Sequence, residues 1–287
     1  MVALTINSNL ASDNSQRALE FNRSQLGQSI TRLASGVKIK SALDGSAELS
    51  LSENIRSDVR ALKQGSRNLN DGLSMIRTAE SGLTEISTIF IRLRQLASQA
   101  SNGTIGNDER HSADLEYQNL LRELDRISNA TEFRETSLLN GGLAKTASEH
   151  IVIQVGTTSA SENQFDLNQE LNLTEISRKA LNLENSNIKS QGSALLALND
   201  LTVAISDLID LRARVGKTQI RMTHALQALS SQIESLSKAV SKIKDTDIAE
   251  ELAILTKNQL LVQAGAAMVG QANLIPQAVL TLFEGVQ

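Results

Sequence analysis

Gly216, Lys217 and Thr218 spell the close of a phosphate-cradling loop, in which backbone N–H groups hold phosphates and the lysine reaches the outer ones. Such a loop also needs a glycine where Leu211 stands, and an apolar heptad runs straight through the triplet, so the nucleotide-binding reading fails. His111, His150 and His224 have no metal-ligand spacing and the chain has no HExxH, so they are expected as solvated helix or loop residues. The carboxylates of "DTDIAEE" (245–251) stand at a helix start, where caps and dipole partners explain them better than an acid–base pair. With no Cys, both cysteine catalysis and a disulfide framework are excluded. Nothing gathers a nucleophile with a base: the chain is expected not to be an enzyme and to carry no cofactor or metal.

If chemistry is not the purpose, the elements themselves must be. The 287 residues include no Trp, one Tyr, five Phe and one Pro, which implies the thin core of a bundle or coiled coil. A net charge of −4 without a basic stripe argues against nucleic acid. The opening "MVALTINSNLAS" lacks both a positive and an apolar signal-peptide region, so the expectation is a cytoplasmic chain or one exported by another route.

Apolar residues at 3,4 spacing run from Leu198 through Leu201, Ile205 and Leu208 to Ile243, with Arg212 and Gln219 the exceptions. A matching stripe, Ile55 to Leu93, predicts a second helix of similar length packed against the first. "SNGTIGND" (101–108) breaks that second rod, and Asn107 with Asp108 and Glu109 predicts a capped helix start running to about Asn129, its direction reversed. "HIVIQVG", a polar turn and "FDLN" predict a small β-hairpin between 150 and 171. The fold class is mainly α: long antiparallel rods forming a coiled-coil bundle, with a small hairpin in mid-chain.

Asn258 to Phe283 carry no charge at all. A membrane span is the first idea, but Gln259, Gln263, Gln271, Asn273, Gln277 and Thr281, with Gly265, Gly270 and Pro276, make it a poor one. More apolar surface is left than one N-terminal helix can cover, which implies burial against other copies of the chain. Expected at that subunit interface are Leu26, Ile30, Leu33, Leu252, Leu255, Leu260, Val262, Val269, Ile275, Val279 and Leu282. Gln259, Gln263, Gln271, Gln277 and Thr281 are expected as an uncharged stripe facing a water-filled axis.

The stretch "RLASGVKIKSALDGSAELSLSENIRSDVRALKQGSRNLNDGLSMIRTAESGLTEI" (32–86) resembles the N-terminal region of bacterial flagellins. "SKIKDTDIAEELAILTKNQLLVQAGAAMVGQANLIPQAVLTL" (241–282) is similar to the flagellin C-terminus, with its Gln-Ala-Gly and Gln-Ala-Asn-x-x-Pro-Gln patterns. Together the likeness covers residues 1–140 and 190–283, and the short middle leaves no room for large variable outer domains.

The resemblance implies a secreted structural subunit that self-polymerises into the extracellular filament of the bacterial flagellum and serves motility. It implies an inner domain of 1–44 with 246–287 (paired terminal helices) and an outer rod domain of 45–245. Export would be unfolded, through the flagellar channel; partners would be a homopolymer of the chain, cap and hook-junction proteins, and an export chaperone. A flagellin-sensing Toll-like receptor is a further implied partner, through Arg92, Leu96 and Glu116, although Ile91 and Gln95 depart from the recognised pattern. The alternative is a hook-filament junction protein, which shares the end motifs but usually carries a bulkier middle.

Overall fold

The computed structural model describes the backbone of residues 9–284 and side chains as far as Leu274. Six α-helices and four short strands follow one another: α1 (Leu10–Ser35), α2 (Ser46–Ala100), α3 (Asn107–Ala130), β1 (Glu132–Phe133), β2 (Thr136–Ser137), β3 (Val152–Gln154), β4 (Gln164–Asp166), α4 (Leu167–Leu171), α5 (Gln191–Lys244) and α6 (Ile248–Glu284). The chain divides into two compact units, Met1–Arg56 with Leu236–Gln287, and Ser57–Ser235.

In the second unit α2 and α5 are the long rods that the apolar stripes predict, uninterrupted because the only proline, Pro276, lies elsewhere. Leu69, Ile76, Ala79, Leu83, Ile86, Phe90 and Leu93 of α2 are buried, as the stripe requires. On α5 the register needs correction. Leu201, Leu208, Val215 and Met222 are buried as expected, but the intervening positions are Ala197, Ala204, Leu211 and Thr218, one residue ahead of Leu198, Ile205, Arg212 and Gln219. At three of these positions, Ala197, Ala204 and Thr218, small side chains let the backbones approach, and a search for large apolar residues passes over them. Arg212 instead lies at the seam's edge, its Nη2 donating to Glu80 Oε1 at 2.7 Å.

The break between α2 and α3 has a physical agent. Arg110 is buried, and its guanidinium donates to the carbonyls of Ala100 (2.9 Å) and Asn102 (3.1 Å), closing the orphan acceptors at the end of α2. The N-cap of α3 is Gly106 rather than Asn107; its N–H donates to Glu109 Oε2 at 3.3 Å.

β3 and β4 form the expected antiparallel hairpin, Ile153 opposite Phe165. A second hairpin, β1–β2, goes beyond the sequence reading; its turn residues Arg134 and Glu135 both have positive φ, 48° and 68°. Asn168 holds the segment between β2 and β3 from inside: its amide donates to the carbonyls of Gly142 and Ala144, each at 3.0 Å, and its Oδ1 accepts from Ile151 N at 2.9 Å. Gly65 and Gly72 are where this arm presses on α2; a Cβ on Gly65 would lie 2.0 Å from the Val155 carbonyl oxygen.

Candidate functional site: the paired end helices

In the first unit α1 and α6 lie antiparallel. Asn9 Nδ2 donates to Ala272 O at 2.8 Å, Ser12 Oγ to Asn273 Oδ1 at 2.7 Å, and Asn258 Nδ2 to Ser29 Oγ at 3.4 Å. Each helix starts and stops on local chemistry. The Asn9 side chain accepts from Ser12 N, and Gly36 closes α1 in the left-handed conformation (φ 67°) with its N–H on Arg32 O at 2.8 Å. Asp247 Oδ1 accepts from Ala249 N and Glu250 N, and acidic Glu250 and Glu251 in the first turn suit the helix dipole. Beyond the end of α1 and before the start of α6, Val37 bridges to Asp245 and Lys38 N donates to Lys244 O at 2.7 Å, while Lys244 Nζ, at the end of α5, reaches Glu53 Oε1 of α2 at 2.9 Å.

The seam between these helices is unusual in what it buries. On α1 a 3,4 frame of lowest exposure runs Ser12, Ser15, Leu19, Asn22, Leu26, Ser29, Leu33; on α6 it runs Glu251, Leu255, Asn258, Val262, Gly265, Val269, Ala272. More than half of the frame is polar or small. Glu251 is 5% exposed, and its Oε1 has no hydrogen-bond partner among the described residues. Many large apolar side chains are on the outside: Leu10, Phe21 (63% exposed), Ile30, Ile254, Leu260 (61%), Met268 and Leu274 are all exposed.

This arrangement sorts the sequence-predicted interface residues. Leu26, Leu33, Leu255, Val262 and Val269 are half-buried on the α1–α6 frame, whereas Ile30, Leu252 and Leu260 stand on the outward side. Ile275, Val279, Leu282, Gln277 and Thr281 lie outside the described side chains. Gln259, Gln263 and Gln271 are exposed. At about 100° per residue they share their side of α6 with Leu252, Leu260 and Leu274, so glutamine and leucine are interleaved there. Reading for apolar residues alone missed Ser12, Ser29, Glu251 and Asn258; the seven-residue steps 251, 258, 265, 272 on α6, and 12, 19, 26, 33 with 15, 22, 29 on α1, are the signal that would have found them.

Elsewhere, Arg92 and Glu116 are exposed and paired, Arg92 Nη2 to Glu116 Oε1 at 2.7 Å. Leu96, 3% exposed, lies in the core of the second unit and offers little surface beside them. Gly216, Lys217 and Thr218 sit in the middle of α5, where the Thr218 hydroxyl donates to Arg214 O at 3.0 Å. By length and composition Ile248–Leu274 is apolar enough to cross a membrane, at mean hydropathy 1.2. Its polar seam with α1 provides a different setting for the same composition.

Residues 6–144 match the family model described as the bacterial flagellin N-terminal helical region, and residues 198–283 match the C-terminal helical region. The chain belongs to the bacterial flagellin family. A flagellin of Halalkalibacterium halodurans is 34% identical over 98% of this chain and all of its own length. Flagellin FlaB2 of Treponema pallidum is 33% identical, and a flagellin of Bacillus subtilis 34%, with the same coverage of both chains. Flagellins of this compact length therefore align from end to end with the chain. The fold is also similar to that of a candidate flagellar hook-associated protein from Vibrio parahaemolyticus, at TM-score 0.57 and 14% identity over 70% of this chain and all of that one. A flagellin is a structural subunit of the flagellar filament.

Proposed function

We propose that this flagellin polymerises with copies of itself, through the outward faces of α1 and α6, into an extracellular filament that drives motility. The observation that carries the reading is the distribution on the paired end helices: serine, asparagine and glutamate share the seam with Leu and Val, while Phe21, Ile30, Leu260 and Met268 are left outside. Burying polar groups while exposing large apolar ones is costly for an isolated molecule, and the cost is offset when neighbouring copies cover the outer faces. The exposed, interleaved glutamines Gln259, Gln263 and Gln271 need water or another polar partner, and the same reading has them line the axis of the assembly. Export unfolded through the flagellar channel, with a cytoplasmic chaperone, accounts for an extracellular destination; cap and hook-junction proteins would bound the filament at its ends. Arg92 and Glu116 are the surface available to a Toll-like receptor, with Leu96 supporting them from below.

A junction protein is not favoured. The relatives that align end to end carry flagellin or filament-core names, and the likeness to the hook-associated structure is one of fold.

The test is elongation of short filament seeds, seen by electron microscopy, with the full chain and with Leu260→Glu. This substitution puts charge on the outer face and leaves the α1–α6 frame intact. Long filaments from the unmodified chain and none from the variant support the reading. Equal growth from both removes the outer face from the interface, and no growth from either overturns self-polymerisation.

A further inference from the structure

Charge is segregated along the second unit. α5 carries no Lys or Arg before Arg212, and its exposed Leu196, Asp200, Val203, Asp207 and Asp210 follow one another at 3,4 spacing, forming a single acidic ridge. α2 carries the opposite ridge at the same spacing: exposed Arg60, Lys63 and Arg67, then Asn70, Ser74 and Arg77. Asp200, Asp207 and Asp210, like Arg60, Lys63 and Arg77, make no ion pair among the described residues, whereas Arg126 binds Glu123 and Arg92 binds Glu116. A solvated helix face ordinarily mixes signs and pairs them locally. The helix dipole does not explain the aspartates either, because it acts within the first turn and they lie deeper in α5.

The two ridges cannot meet within one molecule. The Arg212–Glu80 bond fixes α5 against α2 in antiparallel register, which puts Asp210 about 22 residues, or roughly 33 Å, along the rod from Arg60. In a second copy of the same polarity, displaced by that distance, every step falls into line. Asp210 then faces Arg60, Asp207 faces Lys63, Val203 lies under the aliphatic stem of Arg67, and Asp200 faces Asn70.

We infer that the acidic ridge of α5 docks on the basic ridge of α2 in a neighbouring copy, setting the axial stagger between subunits. The inference rests on the self-polymerisation proposed above. Because exposed pairs contribute little each, the ridge acts mainly on register and partner choice, with the apolar end faces holding the copies together.

The test compares critical concentrations for assembly at low salt, each chain on its own. The chains are the unmodified one, Arg60→Asp with Lys63→Asp, Asp207→Lys with Asp210→Lys, and all four substitutions together. Circular dichroism melts verify that each is folded. Each pair reversal is expected to raise the critical concentration about tenfold, with the fourfold variant returning to within about threefold of the unmodified chain. The spread should shrink as salt approaches 1 M, where screening reaches about 3 Å. Reversals without effect, or a fourfold variant no better than either pair, overturn the docking while leaving polymerisation in place. An unmodified chain that assembles at no concentration removes both.

Discussion

Leu19 of α1 packs over Gly265 of α6: a Cβ on Gly265 would lie 3.3 Å from Leu19 Cδ1 and 3.8 Å from Leu19 Cα. The contact is one close approach of the end helices. Alanine there gains up to about 1 kcal/mol of helix propensity and loses part of it to crowding, so Gly265→Ala is expected to be nearly neutral. Gly265→Leu has no such room and should loosen the pair by roughly 1–3 kcal/mol. Amide exchange of α1 in the monomer measures both; if the leucine variant protects α1 as well as glycine does, the seam is looser than described.

Gly65 makes a sharper case. Its Cβ would stand 2.0 Å from the Val155 carbonyl oxygen, a backbone atom held in the β3–β4 arm, while a Cβ on Gly216 would meet nothing within 4 Å. Gly65→Ala should therefore destabilise the second unit by roughly 2 kcal/mol or more, and Gly216→Ala should stabilise it by up to about 1 kcal/mol. Thermal melts of the two variants should move in opposite directions.

These glycines also mark the edge of what the sequence discloses. The rods, the break at 101–108 and the β3–β4 hairpin follow from local periodicity and turn chemistry, so each is legible. The α5 register is offset at alternate positions because Ala197, Ala204 and Thr218 are buried by close approach, which depends on the partner rod rather than on α5 itself. The seam of α1 and α6 was legible only in part. Leu26, Leu33, Leu255, Val262 and Val269 follow from the apolar pattern, but Ser12, Ser29, Asn258 and Glu251 are residues that a search for apolar stripes discards, and further large apolar residues lie on the side that a single copy leaves exposed.

Arg212 and Glu80 offer a test of the rod register. The guanidinium donates twice to Glu80 Oε1, at 3.1 and 2.7 Å, while Glu80 Oε2 is buried without a hydrogen-bond partner. Removing the arginine leaves a half-buried carboxylate unpaired, and Arg212→Ala is expected to cost roughly 1–3 kcal/mol, towards the lower end because both side chains are about one-third exposed. Glu80→Gln keeps one acceptor and should cost less. A denaturant titration ranks the two, and an arginine variant as stable as the unmodified chain would show that the pair is a surface contact only.

His150 and Asp166 tie the start of the β3–β4 arm, with Nδ1 and Oδ2 2.8 Å apart. The hydrogen bond to Asp166 raises the His150 pKa above its ordinary 6.5. Burial pushes Asp166 upward, but the bonds from His150 and the Gln169 N–H outweigh it, leaving its pKa below the ordinary 3.8. The signs then set a window. A raised histidine pKa contributes stability that is complete below pH 6.5 and is lost as pH rises through the folded value; a lowered carboxylate pKa contributes stability that is present above 3.8 and is lost as pH falls through its folded value. The arm should be most protected between these limits and loosen on the alkaline side first, since Asp166 still caps α4 through Gln169 N at 3.2 Å when the histidine is neutral. Amide exchange of Val152–Gln154, corrected for its intrinsic pH dependence, should quicken above pH 6.5 in the unmodified chain and show no such step in His150→Gln. A step of equal size in the variant would assign the transition to another group.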